Sequence, residues 1–232
     1  MKNMDLDKKK LLVESLSNVI NEQRQLLLQQ ILSQRTRHIT VVLEDIYQAQ
    51  NASAVIRTAE CIGLQEIHII ENKHEYQLNR KVLQGASKWM EINRHKKRDT
   101  DNTSACLKKL KKRGYKIVAM TLQEDSVDLD ALDLEQKLAL CFGSEQPGLT
   151  DVVHELADEF IKIPMCGFTQ SFNISVSAGI SLYQLSTKMR TLDMDWQLKE
   201  EDKIDLYIDW LSKSTPTGKV LLNKFIQSNA IE

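Results

Sequence analysis

Apolar positions along the chain follow a helical period at both ends and form short continuous runs in the middle. Leu12, Leu16, Val19, Ile20, Leu26, Leu27 and Ile31 fall at roughly helical spacing, which predicts an amphipathic extension of one helix or two over residues 10–32. The run ITVVLEDI (39–46), rich in β-branched residues, predicts a strand. Residues 51–62 read as a helix stopped by Gly63. EIHII (66–70) is the next strand, WMEIN (89–93) a further candidate, and 101–113 a helix ending at Gly114. YKIVAM (115–120) and KLALCF (137–142) are buried strands, 149–158 a helix, EFIKI (159–163) a strand and 173–189 a helix. In the tail, Ile204, Leu206, Tyr207, Ile208, Trp210 and Leu211 share a helix; Thr215-Pro216-Thr217-Gly218 breaks it, and a last helix runs to about Gln227. Strands alternating with helices, and apolar throughout, predict an α/β fold: a mainly parallel sheet covered on both faces. The expected organisation is a helical N-terminal extension (1–37), a central domain (38–190) and a helical C-terminal extension (191–232), with no internal repeat.

Composition narrows the class. At 232 residues and 42% hydrophobic, the chain can bury one substantial core. No apolar run reaches ~18 residues, so no membrane span is expected. MKNMDLDKKK lacks the apolar stretch and cleavage site of a secretory signal. Cys61, Cys106, Cys141 and Cys166 are scattered, with no C-x-x-C pair. They read as reduced, buried small hydrophobes of a cytoplasmic protein, and no metal site is expected.

Net charge is −1, but the average conceals a segregation. Residues 72–116 carry 14 Lys/Arg against 4 Asp/Glu, whereas 117–161 carry 1 Lys against 11 acids. The basic block includes Lys96, Lys97, Arg98, Lys112 and Arg113. It is either a phosphate-binding face or a solvated helix face with Lys-rich turns.

Three polar stretches carry the candidate chemistry. GSEQPGLT (143–150) resembles a phosphate loop but has Leu149 where the lysine would be, which argues against a nucleoside triphosphate site. It is a tight strand-to-helix loop, with either an adenosine-like ligand on its backbone groups or an ordinary turn capped by Thr150. In IPMCGFTQSFN (163–173), Pro164 and Gly167 shape a turn, after which Ser171, Asn173, Ser175 and Ser177 line a helix start. In NASAVIRTAECIG (51–63), Arg57 stands among small and apolar residues. A guanidinium so placed calls for a phosphate or an acid such as Glu145.

Taken in order, these stretches resemble the SpoU branch of the SPOUT RNA 2′-O-ribose methyltransferases. NASAVIRTA matches the pattern N-x-x-A-x-x-R-T-A, FGSEQPGL matches F-G-x-E-x-x-G-L, and IPMCG followed by SFNIS matches I-P-M-x-G then S-x-N-x-S. The resemblance covers roughly residues 38–187. It is strongest to the group acting on a D-loop guanosine of tRNA; the same chemistry on rRNA and a non-catalytic RNA-binding or assembly factor are the alternatives. Residues 1–37 are too few for the separate RNA-binding domain of many rRNA-directed relatives.

The resemblance implies a deep C-terminal trefoil knot, an S-adenosylmethionine cofactor and a homodimer that completes the site. It places Met120, Thr121, Gly143, Ile163, Met165 and Phe172 at the cofactor; relatives usually have Leu where this chain has Phe172. It gives Arg57 the activating role toward the ribose 2′-OH, either as a transiently neutral base or as a charged clamp on the target phosphate. Asn51 and Glu145 would orient the arginine or the ribose, and Ser171 and Asn173 the nucleotide. Lys188, Arg190 and Arg24 only partly echo arginines that some tRNA-directed relatives carry after the third motif and early in the N-terminal helix.

Overall fold

The computed structural model describes residues 4–77, 79–122 and 126–229. The chain divides into two compact units. One comprises residues 36–196, and the other joins the segment up to Arg35 with the segment from Gln197 onward. The terminal segments, expected as separate extensions, therefore form one helical body, and the bounds of the α/β unit lie at 36 and 196.

The helical unit contains α1 (Leu6–Ser17), α2 (Glu22–Ser33), α8 (Glu200–Ser214) and α9 (Pro216–Asn229). Two helices rather than one precede the α/β unit. Asn21 interrupts the apolar period and caps α2, its side chain accepting from the Arg24 amide at 2.8 Å. Leu12, Leu16, Leu28, Leu32, Ile208 and Trp210 make its core. The Arg35 guanidinium lies 5.2 Å from the Trp210 ring centroid, and Lys9 pairs with Asp205 at 2.6 Å.

The α/β unit is built on seven parallel strands: β1 (Ile39–Glu44), β2 (Glu66–Ile70), β3 (Glu91–His95), β4 (Tyr115–Met120), β5 (Val127–Asp128), β6 (Lys137–Phe142) and β7 (Glu159–Lys162). Their order is β3-β2-β1-β6-β4-β7-β5. β6 thus enters between β1 and β4, and β7 between β4 and β5, each filling a slot flanked by strands that precede it in sequence. Helices α3 (Ala49–Cys61) and α7 (Ile174–Thr191) pack together, and both add buried residues to the larger core cluster. Helices α5 (Asn102–Lys112) and α6 (Asp151–Leu156) join a second cluster with Val42, Ile70, Ile117 and Ala139.

The candidate strand WMEIN begins two residues late, at Glu91. Gly85 (φ 84°) and a 3₁₀ turn over Ala86–Lys88 occupy the approach, and the Glu91 amide bonds to the Gln65 carbonyl at 2.9 Å. The one-turn helix α4 (Arg80–Leu83) and two-residue β5 are too short to announce themselves in sequence. All four cysteines are free, but only Cys106 and Cys141 are buried; Cys61 and Cys166 are exposed, against the reading of four core thiols.

The interface between β2 and α5 holds a buried polar group. Arg113 donates to both Glu66 oxygens at 2.7 and 2.9 Å, and the Tyr115 hydroxyl donates to the same carboxylate at 2.7 Å. Burial pushes the Glu66 carboxyl up, but these donors outweigh it and hold it below the usual carboxylate range. Beside it, His68 Nδ1 lies 3.0 Å from His95 Nε2. Burial lowers His68 to about 4 and raises the neighbouring Cys106 thiol to about 12, so both are neutral near pH 7.

Candidate active site

The C-terminal ends of β4, β6 and β7 open into one cavity of about 370 Å³. In an open parallel sheet this edge is where ligands bind, because strands and helix starts converge there. Met120, Thr121 and Leu122 come from the end of β4, and Phe142, Gly143, Ser144, Glu145, Pro147 and Gly148 from the loop after β6. Ile163, Met165, Ser171 and Phe172 come from the loop after β7, and Ile174 and Ser177 from the start of α7. All six positions expected to touch a cofactor thus line one cavity. Its walls are apolar on Met120, Phe142, Leu149 and Ile163, with loop backbone and hydroxyls interspersed. That mixture suits a flat heterocycle with a polar tail.

The β6 loop is held at both ends. A Cβ on Gly143 would lie 2.2 Å from the Gly148 carbonyl carbon and 2.3 Å from the Leu149 nitrogen, so only glycine lets the loop close on itself. Gly148 sits at φ 91°, and the Gln146–Pro147 bond is cis. At the far end, Glu44 from β1, only 1% exposed, accepts from the Thr150 amide at 2.9 Å, the Thr150 hydroxyl at 2.8 Å and the Thr103 hydroxyl at 2.5 Å. Thr150 is the N-cap of α6 but makes no capping bond of its own. Glu44 therefore satisfies that helix start and anchors the loop to the sheet. The sequence reading missed Glu44; a lone acid closing the apolar run ITVVLE was its only signal.

Side chains from all three motifs meet at the cavity's rim. Asn51, 8% exposed on α3, donates to the Glu145 carboxylate and, at 3.2 Å, to Gln48 Oε1. Asn173 Nδ2 donates to Asn51 Oδ1 at 3.3 Å. Asn173 also caps α7, its Oδ1 accepting from the Ser175 amide at 2.9 Å and hydroxyl at 2.7 Å. Glu145, Asn51 and Asn173 thus form one chain of contacts, and Glu145 and Ser171 line the cavity directly.

Arg57 stands apart from this chain. It is exposed, lies outside the cavity lining, and donates at 3.5 Å to the Val82 carbonyl. Among the described residues it forms no ion pair, so the internal bridge to Glu145 is not made.

The basic block does not form one face. Lys96, Lys97 and Arg98 follow the C-terminal end of β3, the sheet edge that bears the cavity. Lys112 and Arg113 end α5, which returns to the opposite edge before β4 begins. A run contiguous in sequence is thus divided by the direction of a crossover helix. Several of its cations are also engaged internally: Arg113 with Glu66, and Lys96 with Glu75 at 3.3 Å. Lys188 likewise donates to the carbonyls of Asp130 and Leu132 at 2.8 and 2.9 Å. Arg190 donates to the Ile62 carbonyl at 2.9 Å and stacks 4.5 Å from the Trp196 ring centroid.

The SpoU rRNA Methylase family matches residues 38–183, well over half of the chain. The chain belongs to the SpoU rRNA methylase family. Among similar proteins is a tRNA (guanosine(18)-2′-O)-methyltransferase of Borreliella burgdorferi, 41% identical over 84% of this chain and 87% of that protein. A protein of the same name from Thermus thermophilus is 31% identical over 70% and 81%. Among solved structures, the A. aeolicus TrmH/SpoU tRNA modifying enzyme superposes with a TM-score of 0.72 at 29% identity, covering 84% of this chain and 98% of that one. The SpoU match spans all three motifs, and the cavity is lined by the last two together with the end of β4.

Proposed function

We propose that this protein is a cytoplasmic S-adenosylmethionine-dependent methyltransferase acting on a ribose 2′-OH of tRNA, at a D-loop guanosine. One observation carries the reading. The cavity at the ends of β4, β6 and β7 is rimmed by a polar chain, Glu145–Asn51–Asn173, whose members come from the three family motifs. The similarity to tRNA-directed relatives of comparable length supports tRNA over rRNA as substrate. Among the described residues no helix is long and apolar enough to cross a membrane.

The residues present fit the cofactor. Gly143 lets backbone reach the cavity wall, Met120, Ile163 and Phe172 offer apolar surface, and Thr121 and Met165 complete the lining. When bound, S-adenosylmethionine supplies an electrophilic sulfonium methyl group. The protein's task is then to align a weak nucleophile with it and to draw off the 2′-OH proton. Asn51, fixed by Gln48 and Asn173, holds Glu145 at the rim, where its carboxylate would accept the hydrogen bond of the ribose 2′-OH and then take its proton as the methyl group is transferred. Ser171 offers a hydroxyl on the cavity wall. Arg57, exposed and free of an acid partner, is available as a clamp on the target phosphate, which suits a group that stays protonated better than a base does.

We assign the working form to a homodimer. Val176, Ile180 and Tyr183 are exposed at 46%, 36% and 67%, one helical stripe on α7 that begins beside the cavity. Arg57 lies outside the lining of its own cavity, and we assign it to the cavity of a second copy. The late insertion of β6 and β7 between earlier strands supports the knotted crossing expected of the family. Transfer is assigned to residues 36–196. Of the basic residues, Lys97 and Arg98 are the ones assigned to RNA.

The test is direct. Purified protein, labelled cofactor and bulk tRNA are incubated, and the RNA is digested to nucleosides. Labelled 2′-O-methylguanosine is expected; a digest with no labelled 2′-O-methylated nucleoside removes the reading. Arg57→Ala is expected to lower kcat at least ~100-fold while leaving cofactor affinity within about twofold. Normal turnover removes the role given to Arg57.

A further inference from the structure

Tyr47 lies in the turn between β1 and α3 with 74% of its surface exposed. One exposed ring is ordinary; its fixed setting is not. The Tyr47 ring stands edge-on to His74, centroids 5.2 Å apart at 77°. A single buried side chain joins the two turns that carry these rings. Asp45 adopts φ 48°, and its Oδ1 accepts from the backbone amides of Asn72, Lys73 and His74 at 2.7, 2.8 and 3.3 Å. The His74 turn is thereby wrapped around the Tyr47 turn, and the ring pair is preset.

The surroundings narrow what the pair meets. Tyr47 precedes by four residues Asn51, which reaches Glu145 at the cavity rim. Lys73, next to His74, is exposed on the same turn. A flat aromatic face with a cation beside it and a ribose-directed site close by matches the chemistry of an unpaired nucleobase and its phosphate. Proteins that read RNA loops stack splayed bases on such rings. A preset pair also loses little side-chain freedom on binding.

We propose that the Tyr47 ring, supported edge-to-face by His74, is a stacking surface for an unpaired base of the RNA substrate, adjoining the ribose presented to the cavity. The proposal rests on the methyltransferase reading above and names the substrate contact that reading leaves open.

Tyr47→Ala is the principal variant, read as kcat/KM for tRNA and as the Kd for S-adenosylmethionine by calorimetry. The expected result is a fall in kcat/KM of at least about fivefold, the lower end of one lost base–aromatic stack, with cofactor Kd changed less than twofold. Tyr47→Phe, which keeps the ring, should recover most of the loss. A fall smaller than fivefold, or a Phe variant as impaired as the Ala variant, overturns the proposal. A second measurement is independent of turnover: Tyr47→Trp should show fluorescence quenching on adding tRNA beyond that of the unsubstituted protein. Quenching with no methylation by the unsubstituted protein would sink the catalytic reading and spare the platform. Methylation with no added quenching would do the reverse.

Discussion

Gly143→Ala adds one methyl group at the tightest point of the cavity wall. The new carbon would lie 2.2 Å from the Gly148 carbonyl carbon, 2.3 Å from its oxygen and 2.3 Å from the Leu149 nitrogen. Favourable carbon contacts lie near ~3.5 Å, so the two sides of the loop must separate by more than about 1 Å. All three opposing atoms are backbone, so no side chain can rotate aside. Overpacking among side chains costs about 1–3 kcal/mol, and backbone partners place this case at the upper end, about 3 kcal/mol. The loop can relieve that strain by opening, because its middle is exposed: Glu145, Gln146 and Pro147 all face solvent. The strand beneath cannot follow, since β6 is paired to β1 through Leu43 and Phe142.

The cost should therefore appear in binding more than in folding. An open loop is stable without ligand, and closing it on the cofactor restores the clash. The Kd for S-adenosylmethionine should rise about 100-fold, which about 3 kcal/mol sets, while the thermal midpoint moves by only a few degrees. Calorimetric titration and a melting curve on the same preparation separate the two effects. Gly148→Ala is the control. Nothing lies within 4 Å of its added carbon, but its φ of 91° is strained for alanine, so a smaller loss of about fivefold is expected. A Gly143→Ala protein that binds cofactor within threefold of the unsubstituted one would refute the reasoning. So would one that loses stability and affinity equally.

Glu44→Gln turns one of two accepting oxygens into an NH2 group that faces an amide or hydroxyl already donating. It should lower stability by about 2 kcal/mol and raise cofactor Kd through the freed Thr150 end of the loop; an unchanged melting curve refutes the anchoring role. Arg113→Gln leaves the Glu66 carboxylate, 2% exposed, with fewer donors. About 2 kcal/mol should be lost with KM for tRNA unchanged, whereas a raised KM at normal stability would return Arg113 to the RNA surface. Acid should weaken the fold through His68. Its folded value of about 4 lies below the ordinary 6.5, so below pH 6.5 the unfolded chain takes up a proton that the folded chain refuses. Stability is complete above pH 6.5 and falls by about 1.4 kcal/mol per pH unit toward pH 4, with His95 acting in the same sense. A drop in Tm of about 4–8 °C between pH 7.5 and 5 is expected, and a flat profile contradicts it.

What sequence could and could not reveal follows from which interactions are local. YKIVAM and KLALCF were legible to the residue because a strand buried on both faces in a parallel sheet must be continuously apolar, whatever its neighbours. The cavity-lining positions were legible because they occupy turns at strand ends, where the family motifs fix them in order. The strand order was not, since no residue of β6 records that it will enter between β1 and β4. Nor was the fate of the cations, and here the physics is instructive. Arg113 and Arg98 look alike in a basic run, but one faces a buried carboxylate across a helix–sheet interface and the other faces solvent beyond a strand end. Glu66 would be costly to bury alone, so it captures the nearest guanidinium. The strand that demands that partner lies 47 residues away in sequence. Charge counted along a chain therefore overstates a binding surface by whatever the core must neutralise. In this protein the net +10 of the basic block overstates the charge open to RNA, since Arg113 is held by Glu66 and Lys96 pairs with Glu75.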